Sequence, residues 1–303
     1  MSKAFLFAGQ GAQYVGMGSE LYEFDVVKEI FKVAEKVLGY DLKEICFIDS
    51  MGVLNQTEYT QPAIFTLSVA IIEVLKEKGL STDFVAGLSL GEYAALYYAD
   101  VFDFETGLKI VQSRSKIMQG VCEKVSGTMM AIIGFDRDKL ENLCNQVEGI
   151  VEIANYNCPG QLVIGGEVDS VKKVGELATN EGARRVIPLN VSGPFHTSIL
   201  SEASNLFGEF LSKVELKEPS ERIYMNVTGD LYNGSLKDLM IKQISSSVMF
   251  EDSIKKMIES GVDTFVEIGP GKVLSGFVKK IDRKLNILNV DKLADLEKVL
   301  EVI

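Results

Sequence analysis

Short apolar runs alternate with longer stretches in which apolar residues recur every three or four positions. Ala4–Ala8 (AFLFA) reads as a buried strand ending at Gly9. Leu21, Phe24, Ile30, Phe31, Ala34 and Leu38 recur at helical spacing, and Gly39 ends that helix. Pro62–Lys78 predicts another helix with Gly79 as its cap. Phe84–Leu88 is a short strand, followed by helices over Leu90–Ala99 and Phe104–Val121. Strand, turn and helix in this order predict a parallel sheet covered by helices.

The rhythm changes between Gly127 and Val191. Thr128–Gly134 is a strand and Arg137–Gln146 a helix. Val151–Tyr156 and Leu162–Gly166 are strands joined by Asn157-Cys-Pro-Gly, then Ser170–Asn180 is a helix and Arg185–Asn190 a strand. That β-α-β-β-α-β order is ferredoxin-like. The first rhythm then resumes, with helices over Leu200–Leu211, Lys237–Gln243, Phe250–Ser260 and Val273–Lys280 and strands over Ile223–Asn226 and Thr264–Ile268. The expected fold is α/β. A large discontinuous domain of residues 1–126 and 192–303 carries an inserted subdomain of residues 127–191.

Composition narrows the chemistry. The chain has 303 residues, and 47% are hydrophobic, enough for a sizeable core. Its net charge of −12 argues against a general nucleic-acid or anionic-membrane surface. No uncharged apolar stretch is long enough to span a bilayer, and the N-terminus lacks the apolar run of a signal peptide. Cys46, Cys122, Cys144 and Cys158 form no CxxC unit and read as buried, reduced thiols of a cytoplasmic protein. There is one histidine, His196, so no site can be built from two imidazoles. Any imidazole chemistry must come from His196.

Gly87-Leu88-Ser89-Leu90-Gly91 matches GxSxG between an apolar strand and a helix. Such a turn holds a serine at the sheet edge and aims free N–H groups at an oxyanion beside it. An ordinary strand-to-helix turn with serine as a cap fits the same five residues. Gly9-Gln10-Gly11-Ala12-Gln13 follows the first strand, but Tyr14 stands where a dinucleotide fingerprint needs its third glycine. No GxxxxGK[ST] loop occurs either. The Gly9–Gly11 loop can instead offer the Gln10 N–H to an oxyanion, beside that of Leu90.

FAGQGAQ at 7–13, GLSLGEYAAL at 87–96, QSRSK at 112–116, NYNCPGQ at 155–161, GPFH at 193–196 and EIGPGKVL at 267–274 stand in a telling order. The chain thereby resembles the malonyl-CoA:acyl carrier protein transacylases of fatty-acid and polyketide synthesis, over nearly its whole length. The resemblance implies an α/β-hydrolase-like sheet domain with an inserted ferredoxin-like subdomain. It makes Ser89 the nucleophile and His196 its base. Arg114 becomes the partner of a malonate carboxylate, where a lone helix arginine would otherwise read as exposed. Phe195 narrows the pocket against a methyl branch, a discrimination worth about 1–3 kcal/mol.

Asn157 and Gln161 become cleft residues by the same resemblance, although Asn-x-Pro-Gly is a good turn in its own right. Gln61 and Gln13 are further cleft candidates. A backbone carbonyl near Met249 is expected to orient His196, in place of the usual triad carboxylate. Ala8 and Leu88 stand where the family often has Pro and His, and neither carries a proton transfer.

The implied partners are malonyl-CoA and acyl carrier protein, with no metal or other cofactor, and the chain is expected to be a monomer. Carrier proteins are acidic, so docking on so acidic a chain needs a local basic patch. Lys172-Lys173, Arg184-Arg185 and Lys279-Lys280 with Arg283 are the candidates. The rival readings are a same-fold polyketide acyltransferase, an acyl hydrolase, a non-catalytic docking module and an unrelated serine esterase.

Overall fold

Strand β1 (Ser2–Phe7) is uninterrupted apolar sequence from Ala4 to Phe7, and those four residues are fully buried. A strand covered on both faces has this composition, as parallel sheets require. The structure, a computed structural model, describes residues 2–302. The remaining strands are β2 (Phe84–Gly87), β3 (Gly127–Ile133), β4 (Val151–Cys158), β5 (Gln161–Glu167), β6 (Arg185–Pro188), β7 (Arg222–Met225), β8 (Asp230–Leu231), β9 (Val262–Ile268) and β10 (Asn286–Val290).

They form two sheets. The larger has the order β10-β9-β1-β2-β7-β8, parallel throughout except for the β7–β8 pair. The smaller is antiparallel with the order β4-β5-β3-β6. Helices Arg137–Gln146 and Val168–Asn180 pack on it, which completes the ferredoxin-like arrangement. The fold is thus the expected α/β-hydrolase-like sheet with a ferredoxin-like subdomain.

Chain connectivity reverses at β1. The path leaving β1 passes to β2 on one side, and β9 returns on the other. A crevice opens at the carboxyl ends of the strands at such a switch point. The loop after β1 and the turn after β2 therefore meet there.

Several elements differ from expectation. One helix runs from Thr57 to Glu77, so Pro62 lies inside it rather than at its start. Proline has no N–H for the Glu58 carbonyl, and Ser115 Oγ approaches that oxygen at 3.5 Å instead. Helices Leu42–Phe47 and Leu293–Val302 and strands β8 and β10 were not expected from the hydrophobic pattern. The cysteines are buried and unpaired, as expected.

The two sheets share structure. Tyr156 N–H donates to Val248 O and Val248 N–H donates to Ala154 O, both at 2.9 Å. One apolar cluster also joins Met129, Ala131, Ala154 and Val163 of the small sheet to Phe7, Leu90 and Val111 of the large unit. No helix among the described residues is long and apolar enough to cross a membrane.

Candidate active site

Ser89 sits between β2 and helix Gly91–Tyr98 with φ = 53°, in the left-handed region. A serine there carries strain of about 1–3 kcal/mol. The flanking glycines explain how the turn fits. A Cβ on Gly91 would lie 2.0 Å from Phe7 O, and one on Gly87 would lie 1.9 Å from the Gly91 carbonyl carbon. Only hydrogen at both positions lets the helix start so close to β1 and β2.

His196 also has positive φ, at 60°, and is 4% exposed. Its Nε2 lies 2.7 Å from Ser89 Oγ, and its Nδ1 lies 2.7 Å from the Gln243 carbonyl oxygen. A carbonyl only accepts, so Nδ1 carries the hydrogen and the Nε2 lone pair faces the serine. Burial, with the nearby Arg114 charge, lowers the imidazole pKa to about 4. His196 is therefore neutral at rest and ready to take a proton.

The orienting carbonyl is that of Gln243, which corrects the expectation of Met249. The Met249 carbonyl receives Ser253 N–H at 3.1 Å in the first turn of helix Phe250–Glu259. Gln243 ends helix Leu236–Gln243, whose last carbonyls have no partner within the helix and so remain available. A carbonyl at a helix end carries no side-chain signature in the sequence, unlike a motif position.

Arg114 comes from the helix Phe104–Cys122 and is fully buried. Its Nη1 donates to Gln61 Oε1 at 2.7 Å. Its Nη2 donates to Ser89 Oγ at 3.1 Å and to Gln243 Oε1 at 3.0 Å. Nε has no partner among the described residues. Burial lowers the guanidinium pKa, while Tyr93 and Glu92 oppose that shift. The Tyr93 ring lies 5.2 Å from the guanidinium carbon, so the cation also rests on an aromatic face.

Two residues absent from the sequence reading complete the framework. Asn226, just after β7, accepts from Ser89 N–H at 2.6 Å through Oδ1 and donates to Gly87 O through Nδ2, also at 2.6 Å. Glu92 is fully buried in the first turn of helix Gly91–Tyr98. Its Oε2 accepts Asn226 N–H at 2.5 Å and its Oε1 accepts Gln243 Nε2–H at 2.9 Å. Burial pushes its pKa up to about 8, against the pull of the Asn226 N–H, the Arg114 charge and the Gln243 amide. Both oxygens accept N–H bonds and neither faces an acceptor, so the bonding pattern is that of a carboxylate. Glu92 follows the GxSxG motif directly, and a charged residue inside an otherwise apolar helix start was the available signal.

A cleft of about 400 Å³ lies between the sheets, lined by Gln10, Gln61, Ser89, Asn157, Phe195 and His196 among others. Neither Gln10 N–H nor Leu90 N–H meets an acceptor among the described residues. The Gln10 side chain donates to Thr57 Oγ1 at 3.0 Å and accepts from Gln61 at 3.2 Å. Asn157 is buried and its Oδ1 has no partner among the described residues. Gln161 lies at the same cleft and accepts from Lys280 Nζ at 2.6 Å. Gln13 instead binds Asn55, in an exposed pair.

Residues 4–294 match the acyl transferase domain family. The malonyl CoA-acyl carrier protein transacylase of Bacillus subtilis strain 168 is 41% identical over 310 residues, covering 100% of this chain and 98% of its own. The crystal structure of the transacylase of that name from Clostridium perfringens superposes with a TM-score of 0.95 at 44% identity, covering 99% of this chain and 96% of its own. A chain of the structure of a type II polyketide acyl-carrier protein in complex with its malonyl-transacylase also matches, with a TM-score of 0.95, 36% identity and 99% of both chains covered. With a serine elbow, a neutral imidazole and a buried guanidinium that bonds the same serine, and matches that run almost end to end, this chain belongs to the acyl transferase family.

Proposed function

We propose that this chain transfers the malonyl group of malonyl-CoA to the phosphopantetheine thiol of acyl carrier protein, supplying extender units for fatty-acid synthesis. The observation that carries the reading is the position of Ser89 Oγ. It lies 2.7 Å from His196 Nε2 and 3.1 Å from Arg114 Nη2, so nucleophile, base and carboxylate partner meet at one point. A hydrolase of simple acyl groups has no use for a buried guanidinium there.

His196 takes the Ser89 proton as Oγ attacks the thioester carbonyl. The Gln10 and Leu90 N–H groups bind the tetrahedral oxyanion, and their lack of acceptors supports this role. Imidazolium returns the proton to the departing CoA sulfur. The carrier thiol then gives its proton to His196 and attacks the malonyl-serine; as the ester bond breaks, imidazolium returns that proton to Ser89 Oγ and the malonyl thioester leaves. Thioester and oxoester exchange without change of oxidation state, so the cycle calls for no redox cofactor.

Arg114 pairs with the malonate carboxylate, exchanging its present bonds to Gln61 and Gln243 for a bidentate one. Phe195 walls the acyl pocket, and Asn157 and Gln161 face the pantetheine side of the cleft. We assign residues 1–126 and 192–303 to the catalytic domain and 127–191 to the inserted subdomain. We propose that the enzyme acts as a monomer in the cytoplasm, where its buried, unpaired cysteines stay reduced.

Intact-mass measurement after mixing with malonyl-CoA tests the reading. Wild type gains one malonyl group and Ser89→Ala gains none. A Ser89→Ala protein that still gains it would remove Ser89 from the mechanism.

A further inference from the structure

Ser89 keeps its left-handed backbone through two side chains, one on each of its peptide groups. Asn226 Oδ1 receives its N–H at 2.6 Å, and Gln243 Nε2 donates to its C=O at 2.9 Å. Both clamping residues are tied to Glu92, each through a different oxygen, and Gly87 O also holds the Asn226 amide. Oε2 fixes the Asn226 backbone, and Oε1 fixes the Gln243 amide. The same Gln243 presents its main-chain oxygen to His196 Nδ1 and its Oε1 to Arg114. One buried carboxylate thus reaches the nucleophile, the base and the cation at second hand, without touching substrate.

We infer that Glu92 is a positioning residue that sets the Ser89–His196 geometry through Gln243 and Asn226. The direction of each bond carries the inference. Glu92 Oε1 can only accept while ionised, which makes the Gln243 amide nitrogen face it. That choice points the Gln243 oxygen at Arg114 Nη2, where an N–H would meet another donor. An isosteric Glu92→Gln presents an N–H to one of its two donors. Asn226 N–H is main chain and cannot turn, so Gln243 must flip its amide. The flip strips the hydrogen bond from Ser89 O and turns an N–H toward Arg114.

The inference rests on Ser89 being the nucleophile, and the test separates the two. A fluorophosphonate labels an activated serine without needing malonate, Arg114 or a carrier protein. Its second-order rate at Ser89 is measured by intact mass in wild type, Glu92→Gln, Gln243→Met and the double variant Glu92→Gln/Gln243→Glu. Glu92→Gln is expected to label on the order of 100-fold more slowly, the effect of a misplacement near 1 Å. Gln243→Met keeps the carbonyl for His196 but loses the clamp, and should fall by a similar factor.

In the double variant the new amide at position 92 donates to the new carboxylate at position 243, which also accepts from Arg114. The oxygen at position 243 that faces Ser89 O cannot donate, so that bond stays lost, as it is after the flip in Glu92→Gln. The double variant's rate should recover roughly tenfold over Glu92→Gln, the mark of coupled partners rather than general core damage. A wild-type rate in Glu92→Gln, or no recovery in the double variant, overturns the inference. If Glu92→Gln does not fold, a wild-type rate in Gln243→Met overturns it and a slow one supports it. Wild type that fails to label at Ser89 sinks the nucleophile assignment instead.

Discussion

At the scale of single residues, protonation of His196 decides when the proposed cycle can run. Its folded-state pKa is lowered to about 4 from 6.5, with burial the larger cause and Arg114 the second. The base is active when neutral, so activity is lost only as pH falls through the lowered value. The acid limb of kcat/KM for malonyl transfer should therefore lie near 4. A limb near 6.5 would mean a solvated imidazole.

In the proposed cycle Arg114 acts on affinity and selectivity rather than on proton transfer. Arg114→Ala should raise the malonyl-CoA KM by roughly 10–200-fold, the worth of about 1.5–3 kcal/mol for a charge-assisted pair. Acetyl-CoA should be affected far less, because it has no carboxylate to lose. Steady-state kinetics with both thioesters check this, and equal losses for both would reassign the arginine. Ser89 and His196 stood out in the sequence as the centre of a GxSxG turn and the single histidine, whereas Arg114 stood out only through the family resemblance, because a helix arginine by itself reads as exposed. The Gln243 carbonyl did not stand out, since any residue at that helix end offers the same oxygen.

At the scale of elements, the elbow depends on a near contact between helix Gly91–Tyr98 and β1. Gly91→Ala places a methyl 2.0 Å from Phe7 O, a backbone atom that cannot step aside. The variant should lose about 1–3 kcal/mol or more of stability, and Ser89 labelling with it. Gly276→Ala is the counterpart. It lies in helix Val273–Ile281, and its Cβ would meet nothing within 4 Å. It should gain about 0.5–1 kcal/mol from helix propensity and leave activity unchanged. Denaturant melts of the two variants test the contrast, and equal shifts would refute a steric origin.

The strands and long helices of the fold were legible because their apolar periods match their burial. Helix Leu42–Phe47 was not, since six residues give too little period to read. Strand β10 was missed for another reason. Asn286 and Asn289 interrupt its apolar run, which edge position permits because only one neighbour, β9, pairs with it.

At the scale of the whole molecule, the inserted ferredoxin-like unit is not a free appendage. Val248 bonds β4 by both its N–H and its C=O, only a few residues after Gln243. Arg137 on the small unit pairs with Asp252 on the large one at 3.1 Å, and Gln161 accepts from Lys280 across the cleft. The half-buried ion pair adds little by itself, since pairs within reach of solvent contribute about 0–1 kcal/mol. The shared apolar cluster from Met129 and Val163 to Leu90 and Val111 is the stronger tie, because opening it would expose side chains of both units together.

Unfolding should therefore be one cooperative transition. Native-state hydrogen exchange can test that without perturbing the sequence. The amides of β4 and β5 should exchange with the same opening free energy as those of β1 and β2, and respond to denaturant with the same slope. A small sheet that exchanged first, with a shallow slope, would mean that the cleft opens by local unfolding of residues 127–191. Cooperative exchange would mean that the carbonyl orienting His196 is held by both sheets, so that substrate meets a site already assembled.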